Sequence, residues 1–283
     1  MAERPLESSG VERLVLDLAD ERRPRWDGPG ARPVRTHVWP ARGRDAPVPV
    51  VLVSHGTGGS ALQMTWLAEP LAQAGFLVAA VDHQGNNFAD GYLPQGFAFW
   101  WERALDLSFV LDVLSEDHVI GSVGAAGFSL GGYTVAALAG ARVDPDLYRQ
   151  LLDGRLEVPP PPEFPDLAEQ LQAHLRGDEH VAAGASYRDP RITAAFTVCP
   201  ALAGMLDAAS LGAIDLPFAV RWAGADEIAP DAQRYAELIP DADARCVGDR
   251  VGHYDFLHST EGAEPVRGAV AAEALGFFRR NLP

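Results

Sequence analysis

The strongest chemical signal in the chain is the run Gly127-Phe128-Ser129-Leu130-Gly131-Gly132. It sets one hydroxyl between small residues. A serine hydroxyl is a weak nucleophile unless a base takes its proton and the backbone presents it at an apex. A strand turning sharply into a helix provides that apex, and glycine is required wherever a Cβ would clash with the turn. The apolar, small-residue run from Val119 to Ala126 leads into the motif, and Tyr133-Thr134-Val135-Ala136-Ala137-Leu138-Ala139 follows it. That context is the strand–turn–helix of a nucleophile elbow, with Ser129 as candidate nucleophile. The competing reading is a glycine-rich turn ahead of an alanine-rich helix.

A nucleophilic serine needs a base, and the base needs an acid to orient it. In the strand–elbow–helix arrangement the chain order is serine, acid, histidine. After Ser129 come His174, His180, His253 and His258. The first two lie in a polar segment that breaks the sheet rhythm. His253 follows a β-rich run and precedes the last helical segment, so it is the candidate base, with His258 as rival. Asp226 ends Phe218-Ala-Val-Arg-Trp-Ala-Gly-Ala-Asp226 and is the candidate acid. Its alternative role is a helix N-cap. Asp215 precedes that strand, and Asp249 lies too near His253 in the chain.

Charge on a tetrahedral oxyanion is held by backbone N–H groups. One should come from Leu130, at the start of the elbow helix. The second should come from Thr57, in Ser54-His55-Gly56-Thr57-Gly58-Gly59 directly after Val50–Val53. His55 is then an anchor for its loop, and a plain glycine hairpin is the alternative. Asp82-His83-Gln84-Gly85-Asn86-Asn87 follows another strand, and aromatic residues come next. His83, Asn87, Phe97, Trp100 and Trp101 are the candidate substrate pocket, although both tryptophans also fit a helix core. Glu102 and Arg103 read as a structural ion pair.

These groups have to be positioned by a sheet. Val11–Leu18 reads as an edge strand, Arg22–Arg32 as a loop, and Val34–Trp39 as a second strand. Pro40–Pro49 reads as a turn. Val50–Val53 and Phe76–Val81 are continuous apolar runs, typical of strands buried on both faces. Ala61–Ala74 and Phe99–Leu114 read as helices, the first stopped by Gly75. Strands continue with Ile192–Val198, Pro217–Trp222 and Ala242–Val247, and Val266–Phe278 closes the chain as a helix. Alternating strands and helices predict an α/β fold with a mostly parallel central sheet flanked by helices. Ligands of such sheets bind at the carboxyl ends of the strands, so the functional groups should gather there. Arg142–Pro190, with Pro159-Pro160-Pro161-Pro162 and an amphipathic stretch at Leu167–Leu175, reads as an inserted cap. The expected division is a core of residues 1–141 and 191–283 and a cap of residues 142–190.

At this point the sequence resembles the α/β-hydrolase superfamily, and within it the dienelactone-hydrolase-like and platelet-activating-factor acetylhydrolase-like serine esterases. The resemblance rests on Val38-Trp39-Pro40-Ala41, Ser54-His55-Gly56, the elbow, Ala223-Gly224-Ala225-Asp226-Glu227 and Gly252-His253. It implies the α/β-hydrolase fold and hydrolysis of carboxylic esters through an acyl-enzyme. Dienelactone hydrolases proper carry a cysteine where Ser129 stands, so neither named substrate carries over. The same three side chains would serve an amide or peptide hydrolase or an acyltransferase, and a non-catalytic member of the fold would keep the pocket alone.

Composition narrows the partners. The 283 residues carry a formal charge of −16, which disfavours nucleic acid and anionic membrane surfaces. There is no lysine, which excludes Schiff-base chemistry, pyridoxal phosphate attachment and a Walker phosphate loop. The two cysteines, Cys199 and Cys246, are neither a disulfide framework nor a zinc knuckle, and they fit buried reduced thiols in strands. The opening residues have no apolar core of a secretory leader, and no apolar run reaches membrane-span length. The expectation is a cytoplasmic enzyme acting on a small-molecule ester, with no cofactor and no metal.

Overall fold

The computed structural model describes residues 12–41, 47–156, 160–257 and 260–282. His258, Val11 and Pro159 lie outside the described residues, as does most of the expected turn after Pro40. The main sheet is built from β1 (Leu14–Pro24), β2 (Ala31–Trp39), β3 (Val48–Ser54), β4 (Leu77–Asp82), β5 (Ile120–Phe128), β6 (Ile192–Val198), β7 (Phe218–Trp222) and β8 (Asp243–Cys246). Its helices include α1 (Thr65–Gln73), α2 (Glu102–Asp117), α3 (Leu130–Ala139), α4 (Pro145–Leu152) and α5 (Glu264–Asn281).

The eight strands lie in the order β1-β2-β4-β3-β5-β6-β7-β8. From β4 to β8 every neighbouring pair is parallel, while β2 runs antiparallel to both β1 and β4. This is the α/β-hydrolase fold. The side-chain period of two sorts β3 between two cores. Val50 and Leu52 face one core with α2 and α3, and Val51 and Val53 face the other with α1 and α5. Full burial of each such side chain contributes about 1.5–3 kcal/mol, so the continuous apolar runs of the central strands are what two covered faces demand.

Two elements differ from the sequence reading. Arg22 and Arg23 belong to β1, which continues to Pro24, and β2 begins at Ala31. Charged residues look like loop, but Asp20 pairs with Arg32 across the ladder and accepts hydrogen bonds from both Arg22 and Arg23. The helix expected from Phe99 starts instead at Glu102, after a separate short helix at Pro94–Ala98. The indole of Trp100 donates to Phe97 O at 2.6 Å and holds the break between them.

Between Arg142 and Pro190 the described residues carry α4, short helices at Leu167–Leu171 and Glu179–Ala183, and a 3₁₀ turn at Gln172–His174. Asp144 caps α4 through the N–H groups of Asp146 and Leu147. Within this segment no described residue joins the sheet.

The glycines of the elbow are demanded by close backbone approach. A Cβ on Gly131 would lie 2.0 Å from Ser54 O, and one on Gly127 would lie 2.1 Å from Gly131 O. Gly268, by contrast, is an exposed position of α5 with nothing within 4 Å of such an atom. Gly131→Ala is therefore expected to cost about 3 kcal/mol of folding stability. Gly268→Ala should gain about 1 kcal/mol, from helix propensity. Urea unfolding midpoints of the two variants check both signs.

Candidate functional site

Ser129 stands at the end of β5, with φ 55° and ψ −121°. A non-glycine residue rarely adopts that conformation, which costs on the order of 1–3 kcal/mol. The surroundings enforce it. Ser129 N–H donates to Val198 O at 2.9 Å, and Ser129 O accepts from the N–H groups of Gly132 and Ala201. Gly132 lies against Pro200, where a Cβ would come within 2.7 Å of Pro200 Cα.

The hydroxyl meets an imidazole. Ser129 Oγ is 2.9 Å from His253 Nε2, and His253 Nδ1 is 2.8 Å from Asp226 Oδ2. All three residues are buried. A carboxylate only accepts, so Nδ1 carries the proton and Nε2 is left to accept from the serine hydroxyl. Phe128 packs on the imidazole, with ring centroids 4.8 Å apart. The turn Ala223-Gly224-Ala225 brings the two loops together: Gly224 N–H donates to Gly248 O, and Ala225 N–H donates to Val251 O, both at 2.9 Å. A Cβ on Gly224 would meet Asp249 Cα at 2.6 Å, which explains the small residues.

Asp226 faces the imidazole and is not a helix N-cap: the next helix, Gln233–Leu238, has Ala232 at its N-cap, and the second Asp226 oxygen closes a local turn instead. Its Oδ1 accepts from Ile228 N–H at 2.9 Å and Ala229 N–H at 2.8 Å, while Oδ2 faces the imidazole. Burial opposes ionisation, but the His253 hydrogen bond and these two amides outweigh it and hold the carboxyl below its ordinary range. Asp215 instead pairs with exposed Arg188, and Asp249 is exposed.

The loop after β3 is fixed from behind. His55 Nδ1 donates to Gly56 O at 2.6 Å, Gly59 N–H donates to the same oxygen at 3.2 Å, and His83 N–H donates to His55 Nε2 at 3.3 Å. In a trans peptide the C=O and the next N–H point opposite ways. Holding Gly56 O thus turns Thr57 N–H away from His55. Thr57 and Leu130 both line one cavity of about 400 Å³. Among the described residues neither N–H has a hydrogen-bond partner.

That cavity is apolar. Phe97, Trp100, Leu130, Tyr148, Leu151 and Leu167 supply much of its wall, and its described lining carries no charged side chain. Of the five candidate pocket residues, Phe97 and Trp100 line this cavity. His83, Asn87 and Trp101 do not line it. His83 is buried between Ser54 Oγ and Asp106 Oδ2, at 2.9 Å from each. Asn87 is buried and donates to His83 O. Trp101 stacks on Phe99 and meets Tyr148 edge-on, within the core. Glu102 and Arg103 do not pair: Glu102 binds Arg23, and Arg103 turns inward to Thr134, Asn86, Ser54 and His55. Adjacent helix residues point to different sides, which forbids the expected contact.

Cys199 follows β6 rather than lying in it. It is free, buried and at φ 46°. Ligand atoms of Cys199, Asp226 and His253 lie within 4.8 Å of one another. Burial and the nearby Asp226 carboxylate push this thiol well above its ordinary range, so it stays protonated. Asp226 and His253 are already engaged with each other, and the cluster reads as a hydrogen-bonded relay.

A family model described as serine aminopeptidase, S33 (Hydrolase_4), matches residues 45–247. The chain belongs to this family of α/β serine hydrolases. The match spans the elbow and Asp226 and ends before His253. Solved structures agree on the fold. A ferulic acid esterase from Streptomyces cinnamoneus is 20% identical over 99% of this chain and 92% of its own, with TM-score 0.56. A dienelactone hydrolase from Anabaena variabilis is 17% identical over 96% and 99%, with TM-score 0.55. A puromycin-hydrolyzing peptidase from Mycobacterium tuberculosis is 14% identical over 100% of this chain and 41% of its own, with TM-score 0.60. No curated protein matches this chain significantly in sequence. No helix among the described residues of the hydrolase is long and apolar enough to cross a membrane.

Two buried imidazoles give the hydrolase an acid-sensitive fold. Burial, with Arg103 nearby, holds His55 well below its ordinary range and lowers His83 to about 3. Both are neutral when folded, whereas the unfolded chain protonates them near pH 6.5. The stability they contribute is therefore complete above about pH 6.5 and falls as pH drops, at up to about 1.4 kcal/mol per pH unit for each. For His83 the fall continues to about pH 3. Unfolding midpoints should decline from pH 7 to pH 4, and His83→Gln should flatten that slope even if it lowers stability at pH 7.

Proposed function

We propose that this hydrolase is a serine esterase that cleaves small, uncharged carboxylic esters through an acyl-enzyme. The observation that carries the reading is the unbroken relay from Ser129 Oγ through His253 to Asp226, beside an apolar cavity. His253 Nε2 takes the Ser129 proton as Oγ attacks the ester carbonyl. The oxyanion is held by the N–H groups of Thr57 and Leu130, the latter at the positive end of α3. The imidazolium returns its proton to the leaving alcohol. Water, deprotonated by the same imidazole, then releases the acid and restores Ser129. Asp226 keeps the ring in the tautomer that accepts at Nε2 and stabilises the imidazolium.

The cavity supports an apolar acyl or alcohol group. Its volume falls in the range of small-molecule sites, and its described lining offers no charged partner to an ammonium or a carboxylate. An aminopeptidase has to bind an N-terminal ammonium, so the cavity favours the ester over the amide reading. The helices between Pro145 and Ala183 serve in this reading as the cap, and the protein works as a cytoplasmic enzyme on a small-molecule ester.

Wild type should turn over short-chain p-nitrophenyl esters and be labelled stoichiometrically at Ser129 by a fluorophosphonate. Ser129→Ala should lower kcat by about 10⁴–10⁶ with unchanged folding. Matched nitrophenyl ester and nitroanilide substrates separate ester from amide chemistry. Faster anilide cleavage would overturn the ester assignment, and a wild type that binds the ester but neither hydrolyses it nor reacts with the fluorophosphonate would leave a binding protein.

A further inference from the structure

We propose that Arg103 is the positioning residue that sets the separation of the two oxyanion N–H groups, by tying the loop that carries Thr57 to the helix that begins at Leu130. The proposal rests on Ser129 being the nucleophile and on those amides facing its substrate.

The guanidinium reaches both arms. Nη2 donates to His55 O and, at 3.2 Å, to Ser54 Oγ, while Nη1 donates to Asn86 Oδ1 at 3.0 Å. Asn86 Oδ1 also accepts from Gly58 N–H at 3.0 Å, so Arg103 grips the Thr57 loop directly on one side and through Asn86 on the other. On the second arm, Nε donates to Thr134 Oγ1 at 3.1 Å. The Thr134 hydroxyl in turn donates to Leu130 O, also at 3.1 Å, in the first turn of α3. Arg103 thus fastens the residues on both sides of Thr57, and the turn that starts with Leu130, to one rigid fork. Lysine, with a single point of attachment, cannot reproduce that fork.

A role in stability alone explains this placement poorly. Arg103 is buried, and among the described residues no carboxylate lies within salt-bridge distance. The nearby Asp106 is taken by Arg32, Arg23 and His83. A buried cation without a direct counter-ion is costly to desolvate. Burial lowers this guanidinium to about 9, which still leaves it charged at neutral pH. Its acceptors come from the end of β3 and the loop that follows it, the turn after β4 and the elbow helix, the pieces that must agree on one position in space.

The test uses purified wild type, Arg103→Met, Arg103→Lys and Asn86→Ser, with a p-nitrophenyl ester and an alkylboronic acid that forms a tetrahedral adduct on serine. Folding is checked by circular dichroism and thermal melting. Arg103→Met should lower kcat by about 10–100-fold with KM changed less than about threefold, and boronate affinity should weaken in parallel with kcat. Arg103→Lys should recover part of the loss. A folded Arg103→Met with kcat within about twofold of wild type, or with only KM raised, overturns the proposal. If Arg103→Met does not fold, Asn86→Ser decides. A fall in kcat of about 5–20-fold at constant KM supports the proposal, and unchanged kcat overturns it. A wild type inert to ester, fluorophosphonate and boronate overturns the esterase reading and this proposal together, whereas active wild type with equally active variants overturns this proposal alone.

Discussion

The structure depends on one constraint: backbones at the end of the central strands approach so closely that no side-chain carbon fits between them. Gly131 faces the carbonyls of Ser54 and His55, Gly127 faces Gly131, and Gly132 faces Pro200. Three strand ends are thereby locked to the first turn of α3. Ser129 is carried into its positive-φ conformation because the residues on both sides of it have nowhere else to go. The relay and the two amides inherit their positions from this contact. Ser129 follows β5, Thr57 follows β3, Asp226 follows β7 and His253 follows β8, so a parallel sheet delivers all of them to a single edge.

Behind that edge lies a second layer of order, and it is polar. Asp106, fully buried, gathers Arg32, Arg23 and His83. Burial alone would favour its neutral form, but the two guanidinium charges and the His83 hydrogen bond hold it ionised far below the ordinary carboxylate range. His83 passes the connection to Ser54, and Ser54 to Arg103. The links Asp106–His83, His83–Ser54 and Ser54–Arg103 are each hydrogen bonds between buried groups, and buried polar networks of this kind rigidify their surroundings. The apolar cores hold the sheet together, and this network holds the loops that leave it.

The sequence made the elbow and the relay legible because each requires a residue type that few other situations demand. Glycine at Gly127, Gly131 and Gly132 reports absent space. His253 and Asp226 report chain order and strand ends, and the Ala223-Gly224-Ala225 turn reports the loop crossing over it. The polar network was not legible. His83 and Asn87, placed after a strand end and near aromatics, resemble pocket residues, and nothing in their types shows that they are sealed inside. Arg103 beside Glu102 resembles a surface ion pair, because sequence adjacency hides the fact that neighbours on a helix diverge. The signal that was available is spacing: Arg103 and Asp106, three apart on α2, share one face and point at the same loops. The extension of β1 was missed for a related reason, since charge at Arg22 and Arg23 mimics a loop while their partners, Asp20, Glu102 and Asp106, lie on several elements.

The floor and the wall of the cavity come from different parts of the chain. Strand-end loops contribute Thr57 and Ala201 and the start of α3 contributes Leu130, while Tyr148, Leu151 and Leu167 come from helices of the segment between Arg142 and Pro190. The two parts answer to separate selective demands. A methyl group gained or lost at Leu151 or Leu167 would reshape the cavity wall and leave strand pairing untouched.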